Sequence, residues 1–422
     1  MEYGLIGFPL KHSFSKEIHA LIKEYLHNDT YNYEICELEN EKLDNFFIDK
    51  EFIAINVTIP YKEKVLKYLN YIDENAEKIG AVNTIVNNNG KLSGYNTDYF
   101  GMIALIKKHN IDLKDKNVLI LGTGGTSKTA YQVALDLGAF KIMKASRKID
   151  INTYTYDEIY DEFSDVNVII NTTPVGMYPN NDEGLIDFDR LKTLDAFIDV
   201  IYNPLHTKMA IQAKNKGIKA VNGLYMLISQ AVYAYKYFLS LEISDEEISN
   251  LCDKIYHNIH QDKLNIALIG MPSSGKTSIG KELSLKLNKE FIDTDDEIEK
   301  KIKMSSKDYI EKFGEAEFRK IEAEIVKEVS KKQGCVIATG GGVILNKENI
   351  AALNQNSIVY FLNRSLDKLI TTKSRPLSST KEALEKRYNE RIDLYLSYAD
   401  KVIEANGTIK QVTKKILEDF YG

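Results

Sequence analysis

Two glycine turns of different kinds, each between an apolar strand and a helix, constrain this chain more than any other feature. The first follows Asn117–Leu121 and the second follows Asn265–Ile269. In parallel α/β folds, such a turn directs the N–H groups at the start of a helix towards a phosphate. The sequence therefore predicts an α/β protein with two nucleotide-binding units, each with its own strands and helices.

The first turn has the pattern of a dinucleotide-binding fold. Its first two glycines permit a tight bend and the close approach of a pyrophosphate. Ser127 stands where the third glycine of the pattern usually lies, so a purely structural glycine turn is the alternative. The predicted cofactor-binding residues of the turn are Gly122, Thr123, Gly124, Gly125 and Thr126.

The residues that follow the strand after this turn indicate which dinucleotide is bound. Folds specific for NAD usually place an acidic residue there, which binds the ribose 2′-hydroxyl. Here the strand Lys141–Ala145 is followed by Ser146, Arg147 and Lys148, with no acidic residue. Two cations and a hydroxyl suit a 2′-phosphate, which favours NADP. The alternative is an ordinary solvated basic loop.

The second turn matches the phosphate-binding loop of kinases and nucleoside triphosphatases. In this pattern the backbone N–H groups hold the phosphates, a lysine reaches the β- and γ-phosphate oxygens, and a hydroxyl binds magnesium. Lys276 and Thr277 are that lysine and that hydroxyl. The predicted ATP-binding residues of the loop are Ser273, Ser274, Gly275, Lys276, Thr277 and Ser278.

Composition limits the class of protein. At 422 residues, with 44% hydrophobic and 27% charged residues, the chain is expected to form two or three ordered domains. Its net charge of -6 argues against a general nucleic-acid binder and leaves small molecules as the expected partners. The three cysteines are widely spaced, which predicts reduced thiols. The sequence does not begin with a basic segment followed by an apolar one, as a secretory signal peptide would. We therefore expect a soluble, cytoplasmic protein without a membrane span.

Segments on both sides of the first turn resemble the shikimate dehydrogenase family. The shared segments, in the family's order, are Ile6–Ser15, Asn56–Lys62, Gly80–Thr84, Gly94–Asp98, Asn171–Met177, Asp199–Tyr202 and Asn222–Gln230. The resemblance implies an α/β substrate domain formed by residues 1–110 and 223–257, with a Rossmann NADP-binding domain at 111–222. It also implies the NADPH-dependent reduction of 3-dehydroshikimate to shikimate.

The same resemblance implies roles for individual residues. Lys62 exchanges a proton with the substrate oxygen while hydride is transferred at carbon, and Asp98 holds Lys62 and contacts the substrate. The other implied contacts are Ser13 and Ser15 with the carboxylate, Thr58, Asn83, Tyr202 and Gln230 with the ring hydroxyls, and Val200 and Gly223 near the nicotinamide.

Residues 264–422 resemble the shikimate kinase family, after a polar stretch at 258–263 that is predicted to be a linker. The shared segments after the phosphate loop are Asp293–Asp295, Gly314–Glu315, Phe318–Arg319, Gly340–Gly342, Arg375–Leu377 and Arg391–Tyr395. The resemblance implies a P-loop α/β domain like that of nucleoside monophosphate kinases. It implies the ATP-dependent phosphorylation of shikimate to shikimate 3-phosphate.

By this resemblance, Asp295 receives the proton of the attacking hydroxyl, and Asp293 and Thr277 hold Mg²⁺. Arg319 and Arg391 clamp the substrate carboxylate, a task that suits the planar guanidinium group. The remaining implied contacts are those of Gly341 with the substrate ring and of Arg375 with the ATP phosphates.

Two alternatives remain for the function of the whole chain. A quinate/shikimate dehydrogenase that uses NAD could precede the kinase, although the basic cluster after Ala145 argues against it. The kinase domain could also be catalytically inactive and sense nucleotide for the dehydrogenase. Retention of Lys276, Asp295 and Arg391 favours an active kinase.

Overall fold

The computed structural model describes residues 1–10, 13–147, 153–369 and 381–421. They form two compact units, Met1–Ile259 and His260–Gly422. Both units consist of parallel or mixed sheets with helices, so the α/β prediction is confirmed for each half. Within the described ranges, no helix combines the length and the apolar character that crossing a bilayer requires.

The first sheet of the first unit holds most of the predicted substrate residues. Its strands are β1 (Tyr3–Gly7), β2 (Tyr33–Glu37), β3 (Ala54–Val57), β4 (Tyr71–Ile72), β5 (Thr84–Asn88) and β6 (Lys91–Tyr95), and its helices are α1 (Ser15–Tyr25), α2 (Leu43–Asp49), α3 (Glu74–Ile79) and α4 (Thr97–Lys108). The strand order is β2-β1-β3-β5-β6-β4. β3 is parallel to β1 and antiparallel to β5. Because β3 is buried along its whole length, Thr58 and Lys62, which follow it, start from the centre of the sheet.

The second sheet of this unit carries the first glycine turn. Its strands are β7 (Asn117–Leu121), β8 (Lys141–Ala145), β9 (Thr153–Tyr154), β10 (Val168–Asn171), β11 (Ala196–Asp199) and β12 (Lys219–Val221), and its helices are α5 (Gly125–Asp136), α6 (Ile159–Glu162) and α7 (Lys208–Asn215). The order is β12-β11-β10-β7-β8-β9, with parallel pairing throughout. This is the order of a doubly wound dinucleotide-binding sheet, whose ligand crevice lies at the carboxyl ends of the strands where the order reverses.

Two helices follow the second sheet, α8 (Leu224–Phe238) and α9 (Asp245–Lys263), and the first unit ends within α9, at Ile259. Ser244 and Glu247 mark the start of the second of these helices. Each side chain of this pair accepts a hydrogen bond from the backbone N–H of the other, at 3.3 and 2.9 Å, which is the reciprocal capping arrangement of a helix start. Residues 258–263, which the sequence predicts as a linker, are helical and form the end of α9.

Close packing of α4 against α8 brings two predicted site residues together. A Cβ atom on Gly101 of α4 would lie only 2.6 Å from the carbonyl oxygen of Met226 on α8. Only glycine therefore fits at this crossing. Asp98, one turn before Gly101, and Gln230, one turn after Met226, consequently lie near the same part of the site.

The second unit has one parallel sheet. Its strands are β13 (Asn265–Ile269), β14 (Glu290–Asp293), β15 (Cys335–Ala338), β16 (Ser357–Asn363) and β17 (Lys401–Glu404), and its helices are α10 (Lys276–Leu287), α11 (Thr294–Ile302), α12 (Ser306–Phe313), α13 (Glu315–Val329), α14 (Lys347–Leu353), α15 (Lys381–Tyr398) and α16 (Ile409–Tyr421). The order is β14-β15-β13-β16-β17. These strands are parallel, so their carboxyl ends lie at one edge of the sheet. That edge carries the phosphate loop after β13, Asp293 at the end of β14 and Gly340 after β15.

Candidate functional sites

Lys62 and Asp98 form a shielded ion pair in the first unit. Nζ of Lys62 lies 2.6 Å from Oδ2 of Asp98, and only 15% and 10% of the two side-chain surfaces are exposed. The carbonyl of Lys62 accepts a hydrogen bond from the N–H of Val82 at 2.8 Å, which fixes the segment after β3. Asp98 stands in the first turn of α4, where Asn96 caps the helix. The structure thus brings the predicted acid/base and its partner into direct contact.

A buried network of polar side chains adjoins this pair. Oδ1 of Asn83 accepts a hydrogen bond from the N–H of Thr97 at 2.7 Å, and the Thr97 hydroxyl lies 3.5 Å from Oε1 of Gln230. The predicted substrate residues Asn83 and Gln230 therefore meet at Thr97. Sequence reasoning did not single out Thr97, although it lies in the shared segment that ends at Asp98. Thr58 is half-buried, and its N–H donates to the Ile6 carbonyl at 3.0 Å.

Ser13 and Ser15 place two neutral hydroxyls at the start of α1. The Ser13 hydroxyl donates to that of Ser15 at 2.9 Å. Between them in sequence, Phe14 contacts Tyr202, with ring centroids 5.1 Å apart. Burial raises the pKa of Tyr202 to about 12, so its phenol stays protonated and can donate a hydrogen bond at neutral pH. The contact of Phe14 with Tyr202 brings this tyrosine next to the segment that carries the two serines.

The first glycine turn lies beside Lys62. A Cβ atom on Gly125 would be 3.8 Å from Cδ of Lys62, so the turn and the aliphatic part of the lysine share one cleft. Gly122 has a φ of +107° and lies against Thr172, which explains why glycine is needed there. Gly124 caps α5 and has no atom near its missing side chain, which leaves space for a pyrophosphate. Thr123 is exposed and Thr126 is half-buried.

A buried carboxylate that sequence reasoning missed lies next in sequence to Val200, one of the predicted nicotinamide residues. A Cβ atom on Gly223 would lie 2.0 Å from the Val200 carbonyl oxygen, so only glycine fits. Just before Val200, Asp199 accepts hydrogen bonds from Asn171 at 3.0 Å, from the N–H of Ile201 at 3.1 Å and from Thr207 at 2.6 Å. Burial raises the pKa of Asp199 to about 7, although these hydrogen bonds oppose the shift.

Ser146 and Arg147, two of the three predicted 2′-phosphate residues, stand at the expected edge of the second sheet. β8 lies next to β7, and the N–H of Gly122 donates to the carbonyl of Ala145 at 2.8 Å. Ser146 follows directly, and Arg147 is exposed to solvent. Lys148 lies outside the described residues, as does Arg375 of the second unit.

The phosphate loop of the second unit has the backbone that the pattern requires. Gly275 has a φ of +98°, and the Lys276 ammonium group donates to the carbonyls of Gly270 and Met271 at 2.9 and 3.0 Å. Ser273, Gly275, Lys276, Thr277 and Ser278 line a cavity of about 630 Å³. The side chain of Ser274 is fully buried, so its predicted part in ATP binding is limited to its backbone.

Oxygen ligands for a divalent cation lie beside this loop. The Thr277 hydroxyl donates to Oδ2 of Asp293 at 2.8 Å, while Oδ1 of Asp293 accepts from the N–H of Asp295 at 3.1 Å. A hydroxyl and a carboxylate suit Mg²⁺, which usually takes few protein ligands and completes its shell with phosphate and water oxygens. Asp295 is exposed in the first turn of α11 and lines the cavity.

The two residues of the predicted arginine clamp, Arg319 and Arg391, line the same cavity. Arg319 donates to Glu315 at 2.7 Å and to Glu322 at 2.8 Å. Arg391 donates to the Gly341 carbonyl at 2.9 Å, and Tyr395 donates to the same oxygen at 2.6 Å. Burial raises the pKa of Glu322, and the positive charge of Arg319 opposes this. Glu322 lines the cavity but was not predicted as a site residue, since nothing in the sequence shows that it faces a cavity.

Comparisons with known proteins match the two units separately. The family model described as "Shikimate dehydrogenase substrate binding domain" matches residues 5–85, and that described as "Shikimate kinase" matches residues 272–421. A curated shikimate dehydrogenase (NADP(+)) from Clostridium beijerinckii is 37% identical over 266 residues, which are 61% of this chain and 98% of that protein.

Solved structures give the same match for the first unit. A chorismate mutase/shikimate 5-dehydrogenase fusion protein from Clostridium acetobutylicum is 37% identical, with a TM-score of 0.56 over 61% of this chain and 97% of that chain. Shikimate 5-dehydrogenase from Thermus thermophilus, solved in complex with NADP(H) and shikimate, is 25% identical, with a TM-score of 0.54 over 60% of this chain and 99% of that chain.

Proposed function

The chain belongs to the shikimate dehydrogenase family and carries a shikimate kinase domain behind it, and we propose that it catalyses two consecutive steps. As a bifunctional shikimate-pathway enzyme it uses NADP and ATP. The proposed first step reduces 3-dehydroshikimate to shikimate with NADPH. The proposed second step transfers the γ-phosphoryl group of ATP to that shikimate and yields shikimate 3-phosphate.

The observation that carries the first step is the 2.6 Å pair of Lys62 and Asp98 beside the glycine turn. NADPH, when bound, supplies the hydride. Lys62 donates a proton to the ketone oxygen as negative charge develops there. Asp98 orients the ammonium group through their contact at 2.6 Å, and it contacts the substrate.

The substrate is held by neutral donors on the remaining walls. Ser13 and Ser15 donate to its carboxylate, and Thr58, Asn83, Tyr202 and Gln230 contact its ring hydroxyls. The network through Thr97 supports this assignment, because it fixes Asn83 and Gln230 relative to each other. Asp199 positions Val200 beside the nicotinamide through its three hydrogen bonds.

In the second unit, Asp295 accepts the proton of the attacking hydroxyl. Lys276 leaves its contacts with the loop carbonyls and binds the phosphates, and Asp293 and Thr277 hold Mg²⁺. Arg391 binds the substrate carboxylate, and Gly341 lets the backbone approach the ring. Phosphoryl transfer requires mainly positioning and cationic stabilisation, and the lining of this cavity supplies both.

Separate assays of the purified chain test the two steps. With 3-dehydroshikimate and no ATP, we expect NADPH to be oxidised. With shikimate and MgATP but no NADPH, we expect ADP to be released. Absence of either activity would remove the corresponding step from the proposal, while NADH turnover equal to that with NADPH would contradict the assigned cofactor preference.

A further inference from the structure

A chain of buried hydrogen bonds reaches the predicted substrate residue Asn83 from β2. The Tyr33 hydroxyl donates to Oδ1 of Asn56 at 2.7 Å, and Nδ2 of Asn56 donates to the Thr84 hydroxyl at 3.1 Å. The Thr84 hydroxyl in turn donates to Oδ1 of Asn83 at 3.1 Å. Even the most accessible of the four residues, Tyr33, is only 7% exposed, so water has little access to these hydrogen bonds. The chain links a strand without any predicted site residue to the substrate site.

The orientation of both asparagine amides is fixed by backbone groups. A backbone N–H can only donate, so the Asn83 side-chain atom 2.7 Å from the N–H of Thr97 must be the oxygen, Oδ1. A backbone carbonyl can only accept, so the Asn56 side-chain atom 3.3 Å from the Asn83 carbonyl must be the nitrogen, Nδ2. Oδ1 of Asn56 therefore faces Tyr33, whose hydroxyl has to donate. Burial raises the pKa of Tyr33 well above its usual value, so this hydroxyl keeps its proton.

The oxygen of the Asn83 amide is occupied from inside the protein. It accepts from the N–H of Thr97 and from the Thr84 hydroxyl, and the Thr97 hydroxyl is a third donor at 3.2 Å. These donors use both lone pairs of Oδ1. Within the part of the chain that the structure describes, no group accepts a hydrogen bond from Nδ2 of Asn83. The N–H groups of this amide are thus the ones that can serve a ligand.

We propose that Tyr33 and Thr84 are positioning residues of the dehydrogenase site. Through Asn56, they hold the Asn83 amide with its nitrogen towards the substrate, so that it donates to a ring hydroxyl. Without the Tyr33 hydroxyl, Oδ1 of Asn56 would be buried without a donor, and a rotation of this amide towards another partner would break its hydrogen bond with Thr84. The inference rests on the proposed contact of Asn83 with the substrate and adds the residues that orient it.

The test measures the dehydrogenase kinetics of full-length Tyr33→Phe and Thr84→Val, each of which removes one hydroxyl. KM for 3-dehydroshikimate should rise by about 2- to 10-fold, the range for one neutral hydrogen bond. KM for NADPH and kcat should change little. Thr84→Ser keeps the hydroxyl and should have a KM close to that of the unaltered enzyme. Thr84→Val remains informative if Tyr33→Phe folds poorly, because it breaks the same chain nearer to the substrate.

A double-mutant cycle with Asn83→Ala separates positioning from a purely structural role. If Tyr33 acts through Asn83, Tyr33→Phe should not raise KM further once the amide is absent. An equal rise in both backgrounds would overturn the inference, as would a fall in kcat at unchanged KM. A normal KM in Asn83→Ala would also overturn it, because the contact that is said to be positioned would not exist.

Tyr235→Phe is the matched control. Tyr235 is also buried, with 1% of its surface exposed, and its hydroxyl accepts a hydrogen bond from Asn28 at 2.9 Å, outside the chain that leads to Asn83. We expect no change in KM for 3-dehydroshikimate in this variant. A rise equal to that in Tyr33→Phe would contradict the inference, since any lost buried hydroxyl would then have the same effect. Failure of the unaltered chain to oxidise NADPH with 3-dehydroshikimate would instead overturn the proposed dehydrogenase function.

Discussion

The two units are proposed to bind the same small anion, shikimate, with different kinds of side chains: neutral ones in the first unit and charged ones in the second. In the first unit the proposed partners of its carboxylate are the neutral hydroxyls of Ser13 and Ser15. In the second unit the proposed site is a cavity lined by three arginines and several carboxylates. The difference follows from the reactions. Hydride transfer requires one well-placed proton donor, whereas phosphoryl transfer brings a triphosphate whose charge must be balanced.

Replacement of Lys62 by alanine should have the largest effect, because the first unit concentrates its chemistry in one ion pair. We expect dehydrogenase kcat to fall by about 10²- to 10⁴-fold, the usual range for a lost general acid/base. ADP release with added shikimate should be unchanged. Lys64→Ala, at a nearby surface position that contacts Asn40, should leave both activities intact. Parallel loss of both activities in Lys62→Ala would contradict the separation of the sites.

Replacement of Arg147 by alanine tests the one place in the first unit where a guanidinium is proposed to bind a phosphate. KM for NADPH should rise by roughly 10- to 100-fold, because a charge-assisted contact with the 2′-phosphate is lost. KM for NADH, which lacks that phosphate, serves as the internal control and should change little. Equal losses for both cofactors would assign Arg147 a structural role.

Replacement of Arg391 by lysine sharpens the contrast between the two carboxylate sites. Lysine keeps the charge but cannot make the planar two-point contact, so KM for shikimate in the kinase reaction should rise by about tenfold. KM for shikimate in the reverse dehydrogenase reaction, with NADP+ as oxidant, should not change. Unaltered kinase affinity in this variant would show that the carboxylate is bound elsewhere.

Asp199 should give the smallest effect, a dependence of stability on pH. Its pKa is raised from 3.8 to about 7 by burial, so between these values the folded chain holds a proton that the unfolded chain has lost. Stability therefore decreases as pH rises through this window, by less than about 1.4 kcal/mol per pH unit. We expect hydrogen exchange of the β10 and β11 amides, corrected for intrinsic rates, to show this slope. If the same dependence of stability on pH were measured in Asp199→Asn, Asp199 would be excluded as its cause.

The strands at the centre of each sheet could be predicted from the sequence. Asn117–Leu121 and Asn265–Ile269 have the predicted bounds, because strands buried on both faces consist of uninterrupted apolar runs. The helical end of α9 was missed because its polar composition is equally typical of a connector.

Residues whose roles the resemblance implies could be named from the sequence, but the tertiary surroundings of a residue could not, even inside a shared segment. Lys62 and Asp98 were predicted because both lie in segments that resemble a known family. Asp199 is held by residues as distant as Asn171, and Arg387 reaches the cavity only through the position of α15. Burial and the direction of a side chain depend on packing between elements, which a single sequence does not specify.

A single coupled assay tests the central claim, that this chain performs two consecutive reactions at two separate sites. The purified chain is given 3-dehydroshikimate, NADPH and MgATP, and the products are resolved by mass. The account predicts NADP+ and ADP in equal amounts at completion, with one product of the mass of shikimate 3-phosphate. Accumulation of shikimate with ATP untouched, or release of ADP without oxidation of NADPH, would contradict it.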